Sequence, residues 1–384
     1  MKTKQSLKQK LLSTGLLLGL LSLLGMIKLP LLMDTKEFTT PILSLIDSIT
    51  GHSLSGLTVL CVGIFPITNA NILVSLLSTI SPRLRALKSE GAYGKEKIFR
   101  ITKYLAYGLG LIMSYITVSY LSKTNMIPSV SLFYSILYVT CLFLGVIITQ
   151  KISDSITEIG LIDGMSSIIL MNITKSIICN TYTTLRLANV AIGFVILKVV
   201  LSCLVFVLVY SLLQQELRIP AHIVTKKSME RNSTYFSIKL LGGISSTLIF
   251  VSMLTLLPQV VFNYKSNSLI SYILITVLSV ICYRIALLTQ YDTDKIAQDL
   301  AKTNVYLDGI YQGKETATFL NKLLLKDSLI GGLFTASIFI SASYINHLMI
   351  IDVASMFIFV TISSTLILTV QSNKAIENYK GFLY

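Results

Sequence analysis

The chain is short of charge, above all of negative charge. Of 384 residues only 13% are charged, with 18 acidic side chains against 32 basic ones. Soluble domains carry about 25% charged residues, so a water-facing globule of this length is excluded. Cysteine is sparse and scattered. Cys61, Cys141, Cys179, Cys203 and Cys282 lie mostly inside apolar runs, with no C-x-x-C spacing. That excludes a disulfide framework and a cysteine metal site. His52, His222 and His347 are far apart, and none has the spacing of a metal-ligand pair. No nucleotide-binding glycine loop is present, because GAYG (91–94) and GIYQG (309–313) are turns inside basic loops. No nucleophile–base arrangement and no pair of intramembrane carboxylates occurs. No catalytic activity and no cofactor are expected, and any energy input must come from a partner.

What is present is apolar sequence. The chain is 53% hydrophobic, with apolar runs along its whole length and a mean hydropathy of +0.75. The expected class is an all-α polytopic membrane protein with ten transmembrane helices. The spans fall near 11–32, 63–80, 98–120, 131–149, 165–180, 188–213, 240–261, 269–290, 329–345 and 352–370. The first run follows Lys2, Lys4, Lys8 and Lys10, as a signal peptide would. It is about 20 residues long, enough to cross a bilayer. Lys28, Leu29 and Pro30 follow it in place of a small-residue cleavage site, so it reads as a retained first span.

The net charge of +14 resides in the loops between spans, which argues against a nucleic-acid partner. It sets topology instead. The N-terminus is basic. So are the loop after span two (Arg83, Arg85, Lys88, Lys95, Lys97, Arg100, Lys103), the loop after span six (Arg218, Lys226, Lys227, Arg231, Lys239) and the loop after span eight (Lys295, Lys302, Lys314, Lys322, Lys326). The alternate loops hold little: Lys36, Lys123, Arg186 and Lys265. Both termini are therefore expected on the cytoplasmic side. The spans divide five and five, into residues 1–180 and 181–384. Repeats of this kind place a site at the interface between halves.

Four local features are candidates for function. FTTPILSLIDSIT (38–50) is apolar enough for a helix and too short to cross, and Gly51, Ser53, Ser55 and Gly56 follow it. It is either a surface helix on the outer leaflet or a half-helix buried in protein or lining a cavity. Pro66, Thr68, Asn69 and Asn71 interrupt the second span. They read equally as an inward-facing polar face or as an ordinary Pro kink with interhelical amide bonds. Lys198 lies mid-span, where an ionisable group marks either a site or a packing pair. The basic loops 81–97, 214–239 and 290–328 are longer than connection requires. They are either topology signals or a docking surface.

Several stretches resemble the SecY family in order along nearly the whole chain. LGMIKLPLL resembles the end of its first span, and FTTPILSLIDSITG sits where the family has its plug. GIFPITNANILVSLL resembles the second span. SPRLRALKSEGAYGKEKI and ISDSITEIGLIDGMS resemble the next two cytoplasmic signatures. LRIPAHIVTKK with YFSIKL, IAQDLAKTNVYLDGIYQGKETATFLNKLL and TVQSNKAIENYKGFLY resemble the later loops and the tail.

The resemblance implies two pseudo-symmetric five-helix halves around a central pore. By position it implies a pore ring of Ile64, Thr68, Met165, Ile169, Ser246 and Ile358, and a plug carrying Ile42, Leu43, Leu45, Ile46 and Ile49. The second and seventh spans would form a lateral gate that releases apolar segments to lipid. Docking of a SecA-like motor ATPase would use Arg83, Arg85, Lys88, Arg218, Lys226, Lys227, Tyr311 and Lys314. A SecE-like small membrane subunit, further small accessory subunits and secretory preproteins are the implied partners, in the plasma membrane of a bacterium. The departures from the family pattern are Thr68 and Ser246 in the ring, Pro66-Ile67 for its Pro-Tyr, Leu241 for its Asn, and Tyr311 for the Arg of GIRPG. With the short chain, they resemble the accessory SecY of some Gram-positive bacteria, which exports large Ser-rich glycosylated adhesins. A housekeeping SecY and a secondary transporter using Lys198 are the alternatives.

Overall fold

A computed structural model describes residues 7–29, 41–123, 132–159, 163–187, 192–223, 233–262, 269–303 and 305–382. A helix lies over each expected span: α1 (Leu7–Leu24), α3 (Phe65–Ile80), α5 (Gly91–Lys123), α6 (Leu132–Ile159), α7 (Gly164–Leu187), α8 (Ile192–Leu213), α9 (Ile244–Phe262), α10 (Leu269–Gln290), α12 (Lys314–Ile345) and α13 (Val353–Phe382). Short helices fill the connections: α2 (Pro41–Ile49), α4 (Pro82–Ser89) and α11 (Thr293–Lys302). Among the described residues, six helical stretches, within 93–122, 133–159, 195–213, 270–302, 314–345 and 353–372, are long and apolar enough to cross a bilayer. α1, α3 and α9 are apolar but shorter. α7 is enriched in Ser, Thr and Asn.

Several boundaries differ from the sequence expectation, α12 by fifteen residues at its start, and two of the differences lie near the site. The first helix stops at Leu24, short of residue 32. The chain then turns, and Lys28 pairs antiparallel with Thr58. The amide of Leu29 donates to Leu57 O at 2.9 Å, and that of Val59 to Ile27 O at 3.1 Å. The chain leaving α1 is thus stitched to the segment before α3. Pro66 does not kink a helix. It occupies the first turn of α3, where its missing N–H removes no intrahelical bond.

The all-α expectation needs a correction. Three strands form one antiparallel sheet in the order β2–β1–β3, from β1 (Glu216–Ile223), β2 (Ser233–Lys239) and β3 (Val305–Leu307). Two segments read as separate basic loops are therefore one unit. Alternation in LRIPAHI and TYFSIK places Ile219, Ala221 and Ile238 on one face, where they bury with Leu307 of β3 and with Leu320 and Leu324 of α12. Pro220 is tolerated in the middle strand because β3 pairs only with residues 221–223. On that open side, the Asp308 amide donates to Pro220 O at 3.1 Å.

The main core is continuous from α1 to α13. Helices before residue 187 pack chiefly on one another (α1 on α6 and α7, α3 on α5, α5 on α6), as do those after it (α9 on α10, α10 on α12, α8 on α13). The two groups meet where α3 lies against α9 and α10, and where α7 lies against α13. The α10–α12 contact is the most extensive between helices among the described residues. Tyr283 is fully buried, its hydroxyl donates to Leu240 O at 2.8 Å, and Gly331 leaves room for its ring. Ser279 donates to Gly332 O at 3.0 Å one turn away.

A Cβ at position 331 overlaps the Tyr283 ring. Gly331→Ala is expected to destabilise the protein by about 1–3 kcal/mol, the usual range for overpacking. Thermal unfolding of the purified protein measures it. Because the two positions touch, the penalty shrinks in a Tyr283→Leu background instead of adding.

Candidate functional site

The short helix α2 lies inside the bundle. Ile42, Leu43, Leu45, Ile46 and Ile49 are each at most 7% exposed, and Asp47, Ser48 and Thr50 are buried with them. A helix resting on a membrane surface would leave one face open. Instead α2 packs on α7, α9, α12 and α13. Residues 38–40 of the expected half-helix lie outside the described residues.

Its C-terminus shows why it stops. Gly51 has φ +68°. The amide of Gly51 donates to Ser48 O at 3.2 Å, and that of His52 to Asp47 O at 2.9 Å. This is the paired-bond helix ending that a left-handed glycine permits. A hydrophobic contact usually bridges the same two positions. Here a polar one does: His52 Nδ1 lies 2.7 Å from Asp47 Oδ2. The other Asp47 oxygen accepts from the Ser55 amide at 2.8 Å.

The polar contacts continue outward from α2. His52 Nε2 lies 3.1 Å from Ser176 Oγ on α7. Asn172, also on α7, donates to Ile49 O at 2.9 Å. Ser48 donates to Asp352 Oδ2, just before α13, at 3.0 Å. Ser176 Oγ also reaches Ser48 Oγ at 3.4 Å. Burial opposes protonation of His52, but the Asp47 hydrogen bond and charge outweigh it and the imidazole is raised above its ordinary value. Sequence reasoning missed this network. Its only trace was a lone acid in an apolar half-helix, five residues before a histidine.

The six residues expected to form a ring sit on α7, α9, α13 and the start of α3. Ile64 caps α3, and Ile64, Thr68, Ile169 and Ile358 are buried. Met165 and Ser246 are partly buried. The Thr68 hydroxyl donates to Phe65 O at 2.8 Å and that of Ser246 to Gly243 O at 3.0 Å. Asn69 is fully buried and donates to Phe65 O at 2.7 Å. Asn71 reaches across to Met165 Sδ at 3.3 Å, joining α3 to α7. Lys198 is partly buried on α8, a helix with many exposed apolar side chains, among them Leu197, Val200, Leu204 and Val207.

Of the residues expected to dock a motor, Arg83, Arg85, Arg218, Tyr311 and Lys314 are exposed. Arg83 and Arg85 are exposed on α4, and Arg85 lies 4.0 Å from Asp294 of α11. Arg218 is exposed on β1, Lys314 at the start of α12, and Tyr311 is 80% exposed. Lys88 belongs to α4. Lys226 and Lys227 lie outside the described residues. The contact of α4 with α11 and the pairing of β1 with β3 draw three separate loops together.

The SecY family model matches residues 58–367. The chain belongs to the SecY family. The protein translocase subunit SecY of Streptomyces coelicolor is 24% identical over 91% of this chain and 89% of its own length. That of Haemophilus influenzae is 24% identical over 89% and 84%. The fold is that of a solved protein-conducting channel, at a TM-score of 0.72 and 15% identity over 97% of this chain and 94% of the other. A second structure matches at a TM-score of 0.69 with the same identity and coverage. It is of a SecY whose plug domain is described as stabilising the closed state and maintaining a membrane seal. This SecY-family chain is thus a multi-pass membrane subunit of a protein-conducting channel.

Proposed function

We propose that the chain is the central pore subunit of an accessory export translocon in a bacterial plasma membrane. Ten spans in two five-helix halves, residues 1–180 and 181–384, enclose the pore, and both termini are cytoplasmic. The observation that carries the channel mechanism is the burial of α2 among α7, α9, α12 and α13. It acts as the plug, beside an apolar ring of Ile64, Thr68, Met165, Ile169, Ser246 and Ile358. A narrow apolar constriction excludes water and ions yet yields around a passing chain. Cargo crosses unfolded. A SecA-like ATPase supplies the energy from the exposed basic surface of α4, β1 and the start of α12. A SecE-like subunit and further small accessory subunits cover the exposed apolar helices.

The accessory reading is supported by the departures from family pattern at Thr68, Leu241, Ser246 and Tyr311 and by identities near 24% to curated SecY subunits. The cargo class it implies is large, Ser-rich, glycosylated surface proteins. Deleting the gene and quantifying all exported proteins by mass spectrometry decides this. The expected outcome is a viable strain lacking one or a few large surface proteins. Lethality, or a broad loss of secretion, assigns the general secretion channel instead.

Two substitutions test the parts. Ile169→Asn places a polar amide in the seal and is expected to suppress signal-sequence defects and raise ion leak. Unchanged export and leak would remove Ile169 from the ring. Arg218→Glu reverses a charge on the exposed face of β1 and is expected to reduce co-purification of the motor several-fold, most at low salt. Equal motor recovery would count against that surface.

A further inference from the structure

Lys175 stands at the midpoint of α7, inside an expected span. Its ammonium lies against the turn that ends α1, 3.6 Å from where a Cβ at Gly25 would stand. The carbonyl end of α1 attracts a cation, which explains where the ammonium sits but gives it no counter-charge. Among the described residues no carboxylate is within ion-pair range of it, and it makes no hydrogen bond. An ionisable group at such a depth calls for a partner.

Lys175 lines a cavity of about 20 Å³ where four segments meet. α1 contributes Ser22, the chain after α2 contributes Thr50 and Ser53, α6 contributes Thr149, and α7 contributes Asn172 beside Lys175. Three of these side chains are spent, because Thr50 donates to Ile46 O, Thr149 to Gly145 O and Asn172 to Ile49 O. Ser53 is 3% exposed. Among the described residues its hydroxyl has no hydrogen-bond partner, and neither has that of Ser22. Three unspent donors, from α1, α7 and the chain after α2, therefore line one cavity that no acid lines. The acids around α2 are engaged elsewhere, Asp47 by His52 and the Ser55 amide and Asp352 by Ser48.

We propose that this cavity is a binding site for a monatomic anion, a halide, held by Lys175, Ser22 and Ser53.

Size and charge choose the ligand. About 10–15 Å³ of such space holds one water, so the cavity admits one small species. Phosphate, sulfate or a carboxylate side chain is too large for it. A water molecule accepts from two donors and leaves the ammonium without a counter-charge. A halide accepts from all three and supplies the missing charge. Bound there, it braces the buried chain after α2 against α1 and α7. The site stands whether or not α2 is the plug.

Bromide is the probe, applied to the full-length protein in its purified channel complex. In crystals grown in bromide, anomalous scattering is expected to show a peak in the cavity between Lys175, Ser22 and Ser53. Thermal unfolding in chloride and in gluconate, at equal ionic strength, gives an independent reading, because gluconate is too large to enter. The wild-type midpoint is expected to lie about 1–3 °C higher in chloride. Lys175→Met keeps the apolar stem without the charge and is expected to abolish the difference. Ser53→Ala keeps the charge and is expected to raise the half-saturating chloride concentration about tenfold. Density in the cavity without an anomalous signal assigns a water and overturns the anion site. A chloride effect equal in the wild type and both variants overturns it too, since that is a bulk salt effect.

Discussion

Backbone inside a membrane bundle has no water to bond with, and the structure depends on that constraint. The segment from Thr50 to Ile64 is not helical, yet most of it is buried. Such backbone is tolerated at membrane depth only where protein surrounds it. Its hydrogen bonds are found locally, from Thr58 N to Ser53 O at 3.0 Å and Gly56 N to His52 O at 3.0 Å. They are also found on the chain leaving α1, through Leu29 and Val59. A short half-helix followed by irregular chain therefore requires a bundle that closes around it. The early end of α1 and the packing of α7 and α13 about α2 are two parts of that enclosure.

The buried polar side chains obey the same constraint. Asp47 sits at the end of α2 with both oxygens occupied, one by His52 and one by the Ser55 amide. A carboxylate left without partners at such a place carries a desolvation penalty of several kcal/mol. Fully partnered, it holds the chain reversal after α2 in one geometry. Outside the bundle the logic changes. The sheet of β1, β2 and β3 has a small apolar core of its own against α12, and the exposed cations surround that core. Positive surface is thereby carried on a rigid platform, where flexible loops would spread it.

How much of this the sequence revealed follows from the range of each signal. Apolar runs about 20 residues long announce themselves, and helices lie over all ten expected segments. FTTPILSLIDSIT was legible as a helix too short to cross, but burial depends on what surrounds it, which no local window contains. The sheet was missed because its strands are distant in sequence, and strong basic charge drew attention away from the period-two alternation in LRIPAHI and TYFSIK. The Asp47–His52–Ser176 chain was missed for a similar reason. Its members lie up to 129 residues apart and carry no spacing motif. Pro66 misled because proline inside an apolar run suggests a kink, whereas the helix begins only at Phe65.

Thr68 and Ser246 looked in the sequence like a weakening of the proposed ring. Each hydroxyl donates to a carbonyl of its own chain, Phe65 O and Gly243 O, within hydrogen-bond range at 2.8 and 3.0 Å. A hydroxyl bonded back in this way has spent its only proton. What it shows to the pore is largely a methyl in threonine and a small side chain in serine. The ring is then less polar than its composition, but also smaller at two positions than one of branched aliphatics. A constriction with less bulk closes less tightly by itself. On the proposed reading more of the seal falls to α2, which is held by five buried apolar side chains and by hydrogen bonds to α7 and Asp352. The barrier is then divided, on the same reading, between an apolar ring and a plug seated by apolar packing together with hydrogen bonds.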